Sequence, residues 1–211
     1  GEMIRTRSVD SIISEIKEVQ KNYFMDRVNI DDDIFLLKPK GWLEEFAEKF
    51  PKEIGLPLYC NIRPELVNEK TGYLLKKINC QRAAMGIECG NNEVAKKVLK
   101  RNTTNEKIID AVRILKKNNV KLKIHNIIGL PVKDPLKVDF ETLDFNIKLK
   151  PHVAGCSILY PYPGTEVSHL AKEMGMFDGD HEKVQIPNKS SSNMQFGSKK
   201  EQRMINNFHK L

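Results

Sequence analysis

Five short apolar runs, each closed by polar or turn residues, alternate with stretches of helical periodicity along the 211 residues. The runs are "DRVNI" (26–30), "LPLYCNI" (56–62), "AAMGIE" (83–88), "KLKIHNII" (121–128) and "VAGCSILY" (153–160). They are rich in β-branched and apolar residues, as parallel strands buried on both faces are. Between them lie helical patterns. Residues 8–22 carry an apolar stripe of Ile12, Ile13, Ile16 and Val19. Residues 39–50 carry one of Trp42, Leu43, Phe46 and Phe50, with Pro39 suited to a first turn. A short helix after Gly90 leads to Arg101. Residues 103–118 have Thr103 as cap, Glu106 completing a capping box, and a face of Ile108, Ile109, Val112 and Leu115. Residues 135–150 and 165–174 read as further helices.

Strand–helix alternation specifies a parallel sheet with right-handed crossovers, either an open doubly wound sheet or a barrel. The chain opens on a helix with no strand before it, so a first unit reads as missing. The alternation ends near residue 178. The expected organisation is a core over 1–178 and a C-terminal extension over 179–211, a polar loop ("NKSSSNMQFGSKK") followed by a short helix ("KEQRMINNFHKL").

Composition excludes several classes. Hydrophobic residues at 40% can build a core, and no apolar run approaches the roughly 20 residues of a membrane span. The first ten residues lack the apolar centre of a secretory signal. The net charge of +7 fits a lysine-rich solvated surface. With one Trp and no interleaving of basic and aromatic residues, a nucleic-acid surface is not expected. Cys60, Cys80, Cys89 and Cys156 show no metal-ligand spacing, and without a secretion signal they fit a reducing cytoplasm.

In parallel α/β folds ligands gather at the C-terminal ends of the strands. There the sequence places Asp31, Asp32 and Asp33, then Asn61 and Arg63, then Glu88, Cys89 and Gly90, then Asn126 and "GLP" (129–131), then "YPYPGT" (160–165). A carboxylate at a strand end can accept two hydroxyl hydrogen bonds, as from a ribose diol. Arg101, one short helix later, can fork a carboxylate. A ligand with a ribose and an amino-acid carboxylate satisfies both; a structural Glu88–Arg101 ion pair is the other reading. The three aspartates suit either a hard divalent cation or a solvated, capping loop. His125, within an apolar strand, reads as a hydrogen-bonded core residue. Neither G-x-G-x-x-G nor G-x-x-x-x-G-K-[ST] occurs.

The ordered segments "IRTRSVDSIISEIKEV", "VNIDDDIF", "LPLYCNIRPELV", "MGIECGNNEVAKKVLKRNTT", "HNIIGLP" and "YPYPGTEV" resemble the radical S-adenosylmethionine (radical SAM) enzymes over about residues 4–178. The resemblance is strongest to members that carry an N-terminal cobalamin-binding domain. It implies a partial (β/α)6, TIM-like barrel. It implies reductive cleavage of S-adenosylmethionine at a 4Fe-4S cluster, followed by hydrogen abstraction from substrate by the adenosyl radical. On this resemblance Glu88 contacts the ribose and Arg101 the methionine carboxylate. Asn126, Ile128 and Gly129, with Ile127, fall on the strand that packs against adenine, and Tyr160 falls on the last-strand edge. Asp32 or Asp31 stands where S-adenosylmethionine or substrate is contacted. Cobalamin is a further cofactor of that subgroup. A small-molecule, lipid or natural-product substrate and a flavodoxin or ferredoxin reductant are the implied partners.

The chain departs from the family in two respects. "NIDDDIF" stands where the family's usual glycine-rich second-strand motif meets the methionine amino group. The C-x-x-x-C-x-x-C cluster motif is absent. In relatives it lies shortly before the "R-x-R-S-x-D" helix, here Arg5 to Asp10. The expectation is therefore the C-terminal part of a longer enzyme, lacking its first strand, its cluster loop and any cobalamin domain. The leading reading is the catalytic core of a radical SAM enzyme; cobalamin-dependent methyl transfer is one outcome, and ring closure or other carbon-skeleton chemistry is equally open. A tRNA-modifying radical enzyme and a non-catalytic barrel module are the alternatives.

Overall fold

The computed structural model describes residues 5–182 and 192–210. The stretch 183–191 of the expected polar loop lies outside the described residues. Among the described residues, strands β1 (Val28–Ile30), β2 (Leu58–Ile62), β3 (Cys80–Glu88), β4 (Lys121–Ile128) and β5 (Val153–Ile158) form one sheet in chain order. Asn29 pairs with Tyr59 and Ile62 with Met85 in parallel register. Sequential order and parallel pairing follow from the helix that returns the chain between successive strands. The expected α/β architecture is thus present, as an open sheet with β1 and β5 at its edges.

The helices are α1 (Val9–Asn22), α2 (Trp42–Glu53), α3 (Glu69–Lys77), α4 (Asn92–Val98), α5 (Asn105–Lys117), α6 (Pro135–Leu149), α7 (Glu166–Glu173) and α8 (Lys199–Asn207). Local chemistry sets their starts. Ser8 accepts from the Ser11 amide at α1. Helix α2 begins at Trp42 rather than near Pro39, because Gly41 takes φ 87° and turns the chain into it. Helix α5 is capped by Thr104, one residue past the expected Thr103; its hydroxyl accepts from Lys107. Helix α3 was not foreseen. It is short and carries a glycine, but an Asn68–Thr71 capping box starts it. A Cβ at Gly72 would strike Ile114 of α5, so the glycine permits a close approach.

The chain divides into two compact units, Gly1–Met85 with Ile109–Lys123, and Gly86–Ile108 with Ile124–Leu211. The first is built on an aromatic stack, with Phe46 ring centroids 5.0 Å from Trp42 and 4.9 Å from Phe50. Leu58, Cys60, Ile62, Leu75 and Leu115 are buried in it. The second has a core of Cys89, Ile128, Leu130, Val138, Ile158 and Ala171. Met194, Phe196, Ile205 and Phe208 are buried in that same cluster. The described part of the C-terminal extension is therefore integral to the second unit.

The strands alternate in burial, as period-two side chains require. In β3, Ala83, Met85 and Ile87 are buried, while Ala84, Gly86 and Glu88 are half-buried. In β4, Leu122, Ile124, Asn126 and Ile128 are buried, while His125 and Ile127 are half-buried.

Candidate active site

The end of β3 turns on Glu88. This residue takes φ 65°, and the Cys89 amide donates to the Ile87 carbonyl at 2.8 Å across it. Such a left-handed three-residue turn is rare and strained for a residue with a side chain. The turn folds the Glu88 carboxylate back beside the strand. It occupies the space that a side chain at position 86 would fill, and Gly86 leaves that space open.

Arg101 arrives from the other side of α4. Asn91 caps that helix by accepting from Val94. Lys100 then takes φ 53°, and the Arg101 amide donates back to Ala95 at 2.9 Å. Asn105 donates to the Gly90 carbonyl at 2.7 Å, tying the loop to the end of β3. The result places Arg101 Nη2 2.8 Å from Glu88 Oε1. The two side chains remain 25% and 17% exposed, so the pair faces an accessible space. The contact runs from Arg101 Nη2 to Glu88 Oε1. Both readings of these residues were open from the sequence, and the pairing itself is present.

The remaining expected residues are placed as follows. The Asn126 side chain is buried; it donates to the Gly155 carbonyl at 3.0 Å and accepts from Asn146 at 3.0 Å. The Ile128 side chain belongs to the core. By alternation β4 gives its accessible side to Ile127 and His125 instead. Gly129 takes φ 68° at the turn after β4, and its amide donates to both oxygens of Asp139, at 3.0 and 3.2 Å. The Tyr160 hydroxyl donates to the His181 carbonyl at 3.1 Å. In the first unit, Asp32 pairs with the largely buried Lys38, and Asn61 donates to the Asp32 carbonyl at 3.3 Å. Asp31 accepts from Asn29 at 2.6 Å.

Three residues that matter were not singled out from the sequence: Gly86, Asp139 and Thr142. Gly86 was detectable in principle, since it lies two residues before Glu88 and therefore on the same side of β3. Asp139 is buried, and burial pushes its carboxyl up to about 7, with the Gly129 amide pulling the other way. Nothing in the helical pattern marks it.

The cysteines do not make a cluster site. Contact with Cys80 Sγ, at 3.8 Å, and burial hold the Cys60 thiol well above its ordinary range. Burial also pushes the Cys89 thiol up. Cluster iron is bound by thiolates, which these environments disfavour. Among the described residues no group of three or more His, Cys, Asp or Glu side chains is arranged to hold a metal ion. No helix among them is long and apolar enough to cross a membrane.

The chain thus has a parallel α/β sheet with the Glu88–Arg101 pair at the end of its third strand. The family model of the radical SAM superfamily matches residues 1–138, and the chain belongs to that superfamily of enzymes. An uncharacterized methyltransferase of Pyrococcus horikoshii, PH0819, is 27% identical over 171 residues, covering 81% of this chain and 37% of that protein. The chain thus spans well under half of that relative's length. Among solved structures, the radical S-adenosylmethionine methyltransferase TsrM of Kitasatospora setae, with cobalamin and a [4Fe-4S] cluster bound, aligns with a TM-score of 0.60. The identity is 19%, covering 72% of this chain and 31% of that one. Methylornithine synthase (PylB) aligns with a TM-score of 0.59 at 18% identity, covering 78% of this chain and 48% of that one. At these identities the structures speak for the fold.

Proposed function

We propose that this chain is the S-adenosylmethionine-binding part of a radical SAM catalytic core, and that Glu88 and Arg101 hold the cofactor. The observation that carries the reading is the strained turn at Glu88 with Arg101 at 2.8 Å. Strained backbone at a residue with a side chain is a feature that clusters at binding and catalytic sites, which supports the reading. In the proposed complex the Glu88 carboxylate accepts from the ribose hydroxyls. The Arg101 guanidinium turns its remaining donors to the methionine carboxylate. The Gly129 turn and Ile127 offer backbone and apolar surface to adenine, with Tyr160 at the edge. Asn126 and Ile128 act from behind, as the buried support of that strand. Asp32, in the first unit and paired with Lys38, is given no part in this complex.

Bound S-adenosylmethionine, given an electron from a low-potential 4Fe-4S cluster, supplies the radical chemistry of the family. The described residues do not fit the cluster, and its ligands are assigned elsewhere in the intact enzyme. Flavodoxin or ferredoxin is the proposed electron donor. Methyl transfer with cobalamin is the proposed outcome; the similarity to a named methyltransferase and to a cobalamin-bound neighbour supports it.

The test is Glu88→Ala in the full-length protein. Losing charge-assisted bonds to the ribose is expected to weaken S-adenosylmethionine binding by about tenfold or more. Unchanged binding, measured by equilibrium dialysis, removes the ribose role.

A further inference from the structure

Helix α6 carries an unusual face. Of the buried polar residues Asn126, Asp139, Thr142, Asn146 and Ser168, three belong to this helix. Asp139, Thr142 and Asn146 are spaced three and four apart, so they share one side of it. That side would ordinarily be apolar. Two of the three bond to backbone just after a strand, and the third to a side chain on β4. The Asp139 carboxylate accepts from the Gly129 amide, after β4. The Thr142 hydroxyl accepts from the Gly90 amide at 2.9 Å, after β3, and itself donates to the Val138 carbonyl at 2.9 Å. Asn146 donates to Asn126, on β4.

Packing locks the same two turns. A Cβ at Gly90 would lie 2.8 Å from the Glu141 carbonyl oxygen and from Thr142 Cα. A Cβ at Gly129 would lie 2.6 Å from the Phe196 ring. The helix and the C-terminal segment therefore grip backbone that has no side chain to interpose.

These groups are poor choices for stability alone. A buried carboxylate whose bonds run to a single backbone amide costs more than an apolar residue of its size. What the arrangement does provide is a fixed spacing. One helix holds the turn that follows Glu88 and the turn at Gly129. We propose that Asp139 and Thr142 are positioning residues, which set the distance between the ribose-gripping turn and the adenine-facing turn. This rests on the S-adenosylmethionine reading given above.

The test compares Asp139→Leu and Thr142→Val with Asp139→Asn and Thr142→Ser in the full-length protein. Asn and Ser keep an acceptor for the backbone amide; Leu and Val keep size but remove it. Two quantities are read: hydrogen exchange at the Gly129 and Gly90 amides, and binding of S-adenosylhomocysteine by equilibrium dialysis. The expectation is exchange faster by about tenfold or more and binding weaker by about tenfold for Leu and Val, both restored to within about threefold by Asn and Ser. A merely structural role would not follow the acceptor in this way. Leu and Val variants that bind as wild type does overturn the proposal. A wild-type protein that does not bind S-adenosylhomocysteine defeats the cofactor reading instead, and exchange at the two amides then decides the clamp. If Asp139→Leu fails to fold, Thr142→Val, which is nearly isosteric, carries the test alone.

Discussion

Gly86 leaves empty the place into which the carboxylate of Glu88 folds. A Cβ there would overlap Glu88 Oε1 and approach Arg101 Nη2 to 3.7 Å. The obstructed atoms are the far end of a flexible side chain, not backbone. Gly86→Ala is therefore expected to push the carboxylate out of place and leave the fold intact. S-adenosylmethionine affinity should fall by about tenfold, the worth of a charge-assisted bond, while the melting temperature moves by no more than a few degrees. Binding and thermal denaturation of one variant check both halves.

Gly129 is the contrasting case. Its φ of 68° suits glycine, and the obstruction is the buried ring of Phe196. Gly129→Ala combines left-handed strain with overpacking, and roughly 2–4 kcal/mol of lost stability is expected. Chemical denaturation measures it. A loss no larger than that of Gly86→Ala would contradict the packing described.

Asp139 gives a pH dependence with a definite sign. Its ordinary value is 3.8 and in the folded chain it is pushed up to about 7 by burial. Between those values the folded chain holds a proton that the unfolded chain has released. The resulting stabilisation is complete below 3.8 and is lost as pH rises through about 7. Melting temperatures from pH 5 to 8 should fall more steeply for wild type than for Asp139→Asn, which does not titrate. Parallel curves would show that the carboxyl does not carry the dependence.

The 211 residues by themselves are expected to hold no 4Fe-4S cluster after anaerobic reconstitution with iron and sulfide. Cys60, Cys80 and Cys89 are buried thiols, and the described residues gather no metal-binding group. Stoichiometric absorbance near that of a biological cluster would refute this account of the cysteines.

The ion pairs on the helix surfaces, such as Lys17–Glu53 at 2.7 Å and Lys117–Glu69 at 3.0 Å, are largely exposed. Each should contribute little against solvent screening, so Lys17→Ala is expected to leave stability nearly unchanged in a denaturant titration.

The strand–helix order was legible in the residues, because burial of parallel strands demands continuous apolar runs and each crossover demands an amphipathic helix. So were Glu88 as the close of β3 and Arg101 beyond a short helix, since both are matters of local order. Local pattern misplaced the starts of α2 and α5 by a residue or a few, and it hid α3, whose cap was present but whose apolar stripe was short. Which side of β4 is the more buried emerges from packing alone. Asn126 and Ile128 are fully buried and His125 and Ile127 half-buried, because α6 and the core cover one side of that strand more closely. Packing also built Met194, Phe196, Ile205 and Phe208 into the core, since a polar-looking segment buries its few apolar residues only when another surface receives them. The same holds for Asp139 and Thr142. Their partners, Gly129 and Gly90, lie 10 and 52 residues away, and no periodicity in one helix reveals which distant amide it will meet.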